Sequence, residues 1–161
     1  MSTYSGVRPA DSFLLRPATP EDRDFLADLY VSTREDELPF FGEALIRMQY
    51  EMRQTHYSLR FPQIIPEIIM AAGQRSGAVQ IHRSTEEIRL VDIALLPGFR
   101  QRGIGSAVLA LLIEEANRKA LPLALTVSKS NDRARCLYER FGFHVTEDLP
   151  MDIGMRRDPV P

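Results

Sequence analysis

The chain has 161 residues, 44% of them hydrophobic, with a formal net charge of −2 and a single cysteine. This is enough apolar content for the core of one globular domain, expected over residues 13–161, and the charge balance excludes the basic field that duplex nucleic acid binding requires. One cysteine excludes an internal disulfide framework and fits a reducing, cytoplasmic setting. The first residues, MSTYSGVRPADSF, hold no apolar signal region, and no apolar run nears the ~20 residues of a membrane span. No secretory leader and no membrane association are therefore expected.

Residues 1–12 are polar with Pro and Gly, and read as a flexible tail. Residues 13–16, FLLR, form the first expected strand. Thr19-Pro20-Glu21-Asp22 is a helix start with a mechanism: a hydroxyl N-cap, proline at the first helical position and acids in the first turn. Phe25, Leu26, Leu29 and Tyr30 supply that helix's inward side. After Leu38-Pro39 a second helix is predicted, with Phe41, Ala44, Leu45, Met48, Met52, His56 and Leu59 at three- and four-residue steps as its core-facing stripe. Phe61-Pro62 ends it.

A β-rich middle follows. Residues 64–71 read as a strand, Gln74-Arg75-Ser76-Gly77 as a turn, residues 78–83 as a short strand and Ser84-Thr85-Glu86-Glu87 as a hairpin loop. Residues 88–96 make the next strand, whose apolar run over 91–96 reads as buried. It stops at Pro97-Gly98. Then come Arg100-Gln101-Arg102-Gly103-Ile104-Gly105 and a helical pattern with Ile104, Ala107, Val108, Leu111 and Leu112 on one face. A strand, a basic glycine turn and a helix start form an anion site for physical reasons. The first helical N–H groups lack partners, the helix dipole is positive there, and glycine lets a phosphate approach the backbone. One of Arg100 and Arg102 is expected to be an ordinary solvated charge.

Pro122 closes that helix, and residues 123–127, LALTV, read as a second buried strand. A strand, helix and strand in succession predict a parallel pair. Asn131 starts a short helix with Ala134, Leu137, Tyr138 and Phe141 on one side, and Gly142 stops it. Cys136 on this helix reads as a small core residue. Residues 143–145 and 152–156 suggest two final strands.

The phosphate turn departs from two familiar patterns. A dinucleotide fingerprint needs Gly or Ala where Val108 stands, and no G-K-S/T triplet for a triphosphate loop is present, which disfavours a nucleotide-binding domain. The segment Arg100-Gln101-Arg102-Gly103-Ile104-Gly105 instead resembles the [Q/R]-x-x-G-x-[G/A] pyrophosphate turn of the GNAT superfamily of N-acetyltransferases. Farther on, Asn131, Ala134, Tyr138, Gly142 and Phe143 resemble that family's N-x-x-A-x-x-x-Y-x-x-x-G-F signature. The likeness is close over residues 91–143.

That resemblance implies an α/β fold with α+β character. Its mixed sheet has about six to seven strands with helices on both faces, and the central parallel strands splay apart around acetyl-CoA. The pantetheine arm would pair with the backbone of Ile93, Ala94 and Leu95. The pyrophosphate would receive N–H bonds from Gln101, Arg102, Gly103, Ile104, Gly105 and Ser106. Asn131 would meet the pantetheine arm, and the Tyr138 hydroxyl would protonate the departing thiolate. The implied activity is acetyl transfer to a primary amine of a small molecule or protein, by direct attack in a ternary complex, with no metal. A homodimer is expected by analogy alone.

Some family members place a glutamate general base on the strand after the long helix, where this chain has Thr126. Threonine cannot do that work. The base is then sought in Asp92, which interrupts an apolar run and ranks first, in His56, or in ordered water. Glu35, Asp36, Glu37 and Glu43 could attract a cationic amine or merely solvate a helix end. The competing expectation is a catalytically silent acyl-CoA-binding sensor or interaction module, which would share the same turn.

Overall fold

The computed structural model describes residues 2–4, as backbone only, and 12–161. Most of the expected tail over residues 1–12 lies outside the described residues. The chain packs as two compact units, each made of two stretches: Met1–Gln80 with Asp92–Gly105, and Ile81–Val91 with Ser106–Pro161. Each is taken by itself.

The first unit contains β1 (Ser2–Tyr4), β2 (Phe13–Pro17), α1 (Arg23–Ser32), α2 (Leu38–Arg60), β3 (Glu67–Ala71) and most of β4 (Gln74–Arg83), with the later half of β5 (Ile88–Leu95). β1, β2, β3 and β4 are successive antiparallel neighbours. A 3₁₀ turn, Pro20–Asp22, leads into α1, and the Thr19 N–H donates to Asp22 Oδ2 at 2.9 Å. The Asp22 carboxylate is buried. It accepts from Arg16 Nη1 and Nη2 at 2.7 and 2.9 Å and from Arg75 Nη1 at 3.3 Å, so its charge is matched where water is excluded. Leu29 on α1 packs with Ile68 and Ala78, and Phe25, Leu26, Met70, Ala94 and Leu96 surround them.

Two expectations fail in this unit. The predicted turn at residues 74–77 lies earlier, at Ala72 and Gly73, both with positive φ (50° and 72°), and β4 starts at Gln74. Alanine in the left-handed region carries no sequence signal, so Gly73 alone marks this turn, and the polar run after it places the expected turn too late. Pro66, which lacks an amide donor, also delays the strand before it to Glu67.

The second failure is α2. Its expected inward stripe is exposed: Phe41, Ala44, Leu45, Met48, Met52, His56 and Leu59 all face solvent. The side turned into the unit carries buried Ile46 with half-buried Tyr50, Arg53, Gln54 and Tyr57. Periodicity identifies an apolar stripe but cannot choose which side is covered. Here buried Gln80 on β4 and Asp92 on β5 need polar partners, and Gln54 and Arg53 supply them.

The second unit holds the start of β5, α3 (Ile104–Lys119) from Ser106 on, β6 (Leu123–Ser128), α4 (Asp132–Arg140), β7 (His144–Asp148) and β8 (Asp152–Arg157). β5 and β6 are parallel over Ile88–Leu90 and Leu123–Leu125, as the strand–helix–strand order predicts. The register stops there, although β5 runs on to Leu95 and β6 to Ser128. β6 pairs antiparallel with β8, and β8 with β7. Antiparallel and parallel neighbours together, with helices between the strands, make the expected mixed α/β fold, with eight strands among the described residues when the three-residue β1 is counted.

α3 buries Ile104, Ala107, Val108, Leu109, Leu112 and Ala116; Leu109 takes the place expected for Leu111, which is half-buried. β6 buries Leu123, Ala124, Leu125 and Val127, as expected. Residues 91–95 of β5, expected to be buried, are half-buried. Cys136, read as core, is exposed on α4. The inward side of this short helix uses Leu137 and Tyr138 one step on, so the thiol turns outward.

Candidate active site

In the first unit, β5 carries Asp92 toward the polar side of α2. Arg53 Nη2 donates to Asp92 Oδ1 at 3.1 Å, and Arg53 Nε donates to the Tyr57 hydroxyl at 2.5 Å. The same guanidinium stands 5.2 Å from the centre of the Tyr57 ring and 5.8 Å from that of Tyr30. Arg34 approaches Tyr30 as well, at 5.3 Å, and Tyr30 and Tyr50 are tilted rings 5.4 Å apart. Three tyrosines, two arginines and one carboxylate thus converge from α1, the turn after it, α2 and β5. Cation–ring contacts of this kind hold guanidinium groups in fixed planes.

The electrostatics of this cluster are specific. Burial pushes the Asp92 carboxyl above the ordinary carboxylate value, against the opposing pull of Arg53, the Ile93 backbone N–H and Arg34. Burial also raises the Tyr57 phenol, with Asp92 adding to the rise and Arg53 opposing it. Tyr50 is raised by burial and by nearby Glu51 and Asp92. Beside them Gln80 Nε2 donates to Gln54 Oε1 at 3.0 Å, while Gln80 Oε1 is buried without a partner. An unpartnered acceptor and a carboxylate of raised pKa on one strand-facing surface suit proton chemistry on a polar ligand.

Sequence reading singled out Asp92 but missed Arg53, Tyr30 and Tyr50. The spacing Tyr50, Arg53, Tyr57 is itself a helical stripe, and a long helix carrying a mixed aromatic and basic stripe was the available signal. His56, the other candidate base, is on the exposed side of α2, its ring 6.2 Å from that of Tyr57.

β5 ends in the glycine turn. Ser76 Oγ donates to the Ile69 carbonyl at 2.8 Å, and the Leu96 N–H donates to the Ser76 carbonyl at the same distance. Gly77 lets β4 come this close: a Cβ there would stand 2.2 Å from the Ala94 carbonyl oxygen. Ile93, Ala94 and Leu95 are consequently backed by β4 and half-buried. Arg100 is spent on structure, with Nε donating to the Leu95 carbonyl at 2.9 Å and Nη2 to the Ser32 carbonyl at 3.1 Å. Arg102 is exposed, 5.5 Å from the Phe99 ring centre.

Gln101 (φ 61°) and Gly103 (φ 80°) both take the left-handed conformation, and α3 begins at Ile104. Left-handed residues in a turn at a helix start leave backbone N–H groups free to face an anion. Space beside Gly103 and Gly105 is open, since a Cβ on either would meet nothing within 4 Å. The residues present therefore fit a pyrophosphate.

In the second unit, Asn131 caps α4, its Oδ1 accepting from the Ala134 N–H at 3.1 Å. Tyr138 is half-buried on that helix, its ring 5.7 Å from Phe143. Thr126 on β6 is exposed. Ser106 follows Gly105 in the first turn of α3. Among the described residues no three His, Cys, Asp or Glu side chains come together as a metal set.

Known proteins resemble this chain in sequence or in fold. Over 77 residues the chain is 38% identical to the [ribosomal protein bS18]-alanine N-acetyltransferase of Salmonella typhimurium, a match covering 47% of this chain and 52% of that protein. The chain thus matches about half the length of that curated relative. Three solved structures are similar in fold. A PaiA N-acetyltransferase from Thermoplasma acidophilum, in complex with coenzyme A, has TM-score 0.69 at 19% identity, covering 91% of this chain and 99% of that one. A GNAT family acetyltransferase from Listeria monocytogenes has TM-score 0.69 at 16% identity, with coverage of 98% and 99%. The ribosomal-protein-S18-alanine N-acetyltransferase from Escherichia coli has TM-score 0.64 at 20% identity, with coverage of 92% and 96%. At such identities the structural likeness speaks for fold alone. The family model described as the acetyltransferase (GNAT) family matches residues 24–143, and its span includes both the β5 turn and the Tyr138 helix. The chain belongs to the GNAT acetyltransferase family.

Proposed function

We propose that this chain moves the acetyl group of acetyl-CoA to a primary amine by direct attack in a ternary complex. The observation that carries this reading is β5 itself. One strand supplies a carboxylate of raised pKa at Asp92, a half-buried edge at Ile93, Ala94 and Leu95, and an open glycine turn at residues 101–105. The edge would pair with the pantetheine arm. The N–H groups of Gln101, Arg102, Gly103, Ile104, Gly105 and Ser106 would hold the pyrophosphate. Asn131 would also meet the pantetheine arm. Acetyl-CoA supplies an activated thioester, and the remaining steps belong to this chain's side chains.

A primary amine is mostly protonated near neutral pH and must lose a proton before it attacks. Asp92 accepts that proton, directly or through water, and burial, by raising its pKa, makes it a stronger base than an ordinary carboxylate. As the C–N bond forms and the C–S bond breaks, Tyr138 gives its hydroxyl proton to the departing thiolate and regains one from solvent. Strand-edge N–H groups stabilise charge developing on the carbonyl oxygen. The acceptor is an amine of a small molecule or a protein. The activity of the Salmonella relative makes a protein N-terminal amine one arm of any screen. The reading places the chain in the cytoplasm; no helix among the described residues is long and apolar enough to cross a membrane.

A second reading has a specific observation in its favour. Thr126 is exposed where some family members have a catalytic carboxylate, which suits a silent acyl-CoA-binding module. Turnover of acetyl-CoA against a panel of amines separates the two. Thermal stabilisation by acetyl-CoA without turnover of any amine favours the module. Release of free thiol dependent on one amine establishes the enzyme.

A further inference from the structure

The cluster around Asp92 holds more positive charge than removal of a proton needs. Arg34, in the turn after α1, and Arg53, on α2, both lie against the ring of Tyr30. Arg53 spends Nε on the Tyr57 hydroxyl and Nη2 on Asp92, while Arg34 spends Nη1 on Glu37 at 3.0 Å. Arg34 Nε is buried with no partner, so ring contact rather than a full set of hydrogen bonds holds this cation. Each guanidinium therefore keeps N–H donors unspent among the described residues, and both side chains reach solvent, at 37 and 32% exposure.

The turn that carries Arg34 is also tied to the end of β5. Arg100 donates to the carbonyls of both Leu95 and Ser32, bridging the strand edge and the end of α1. Arg34 thus follows closely on a point anchored to the edge that would carry the pantetheine arm. On the acetyl-transfer reading above, we propose that the acceptor is an amino acid. Arg34 and Arg53 bind its carboxylate while Asp92 receives the proton of its ammonium group.

Charge balance selects this class of acceptor. Arg53 and Asp92 neutralise each other across 3.1 Å. When Asp92 takes the proton, Arg53 is left in a half-buried place without its counterion, which is costly. A carboxylate on the acceptor supplies the missing charge as the proton moves. One negative charge is required, whereas a phosphate carries closer to two. A planar guanidinium also meets a carboxylate through parallel hydrogen bonds. A polyamine fits poorly, because it brings further positive charge beside two arginines. The acids nearby do not offset it: Glu37 binds Arg34, Glu43 binds Arg47, and Glu35 and Asp36 lie in solvent. Gln80 Oε1, buried without a partner where β4 faces α2, offers an amine N–H a neutral acceptor only.

Thiol release from acetyl-CoA, measured on matched trios, provides the test. Each trio is an amino acid, its carboxamide and the amine left by its decarboxylation. The amino acid should lead at least one trio in kcat/KM by roughly 10- to 100-fold, the worth of a charge-assisted hydrogen bond. In Arg34→Gln that lead should largely vanish, through KM rather than kcat, and Arg34→Lys, which keeps the charge, should retain part of it. Circular dichroism checks that both variants fold. Carboxamides and decarboxylated amines that match the amino acids throughout overturn the proposal and leave the transfer reading standing. So does faster turnover of phosphoethanolamine, which would assign the arginines to phosphate, or turnover confined to peptides. A lead unmoved by Arg34→Gln overturns the role of the arginine pair. Absence of thiol release with every amine overturns the transfer reading itself, and this proposal with it.

Discussion

The Arg53 guanidinium holds the Asp92 carboxylate at 3.1 Å while both side chains remain about one-third exposed, at 32% each. Burial raises the carboxyl and the guanidinium holds it down, so the acidity of Asp92 is set by two opposing effects. If Asp92 is the base, activity is lost as pH falls through its pKa. Asp92→Asn should lower turnover and remove that acid limb. Arg53→Gln deletes the stabilising cation, so the limb should move to higher pH. Measured pH–rate profiles identical to wild type in both variants would return the search for a base to His56 or ordered water.

Gly105 gives a clean test of the phosphate turn. It lies in the first turn of α3, and a Cβ there meets nothing within 4 Å, so Gly105→Ala, which the turn pattern itself allows, should stabilise the fold by about 0.5–1 kcal/mol and leave acetyl-CoA affinity near wild type. Gly105→Leu fills the approach to the backbone, and acetyl-CoA should bind roughly tenfold more weakly, about 1.4 kcal/mol. Calorimetry showing wild-type affinity in a folded Leu variant would count against the cofactor assignment. Gly103 is less suitable, because its φ of 80° makes any side chain strain the turn itself.

At Tyr138, packing and chemistry can be separated. The ring lies 5.7 Å from Phe143, so Tyr138→Phe keeps the packing and removes only the hydroxyl. Loss of a general acid should reduce kcat by roughly 10- to 1,000-fold with little change in acetyl-CoA affinity. Tyr138→Ala should also destabilise α4. A Phe variant with full turnover, on an acceptor for which chemistry limits the rate, would remove Tyr138 from the mechanism.

Asp22 should govern acid stability. Its carboxyl lies well below the ordinary value of 3.8, chiefly through the hydrogen bonds from Arg16. The stabilisation is thus present above about pH 3.8 and is lost progressively as pH falls toward the lowered pKa. Asp22→Asn should cost about 2–3 kcal/mol at pH 7, the lower range for a buried pair because the arginines are partly exposed. Urea unfolding at pH 7 and pH 3 should show the gap between variant and wild type narrowing at the lower pH.

The residues alone located the strands expected at 13–16 and 123–127, the helix Ile104–Lys119 with the glycine turn before it, and the short helix that Asn131 caps and Gly142 stops. These follow from local physics: proline and glycine punctuation, N-caps, and period-two or period-3.6 patterning act within a few residues of chain. What only the tertiary structure decided is which side of α2 is covered, and hence the cluster around Asp92. α2 carries an apolar stripe and a polar aromatic stripe of similar regularity, and local pattern favours burying the first. Gln80 and Asp92 reverse that choice, because leaving a buried amide and a half-buried carboxylate without partners costs more than leaving methionine and leucine in water. That balance depends on residues 26 and 39 positions away along the chain, where no local pattern reaches.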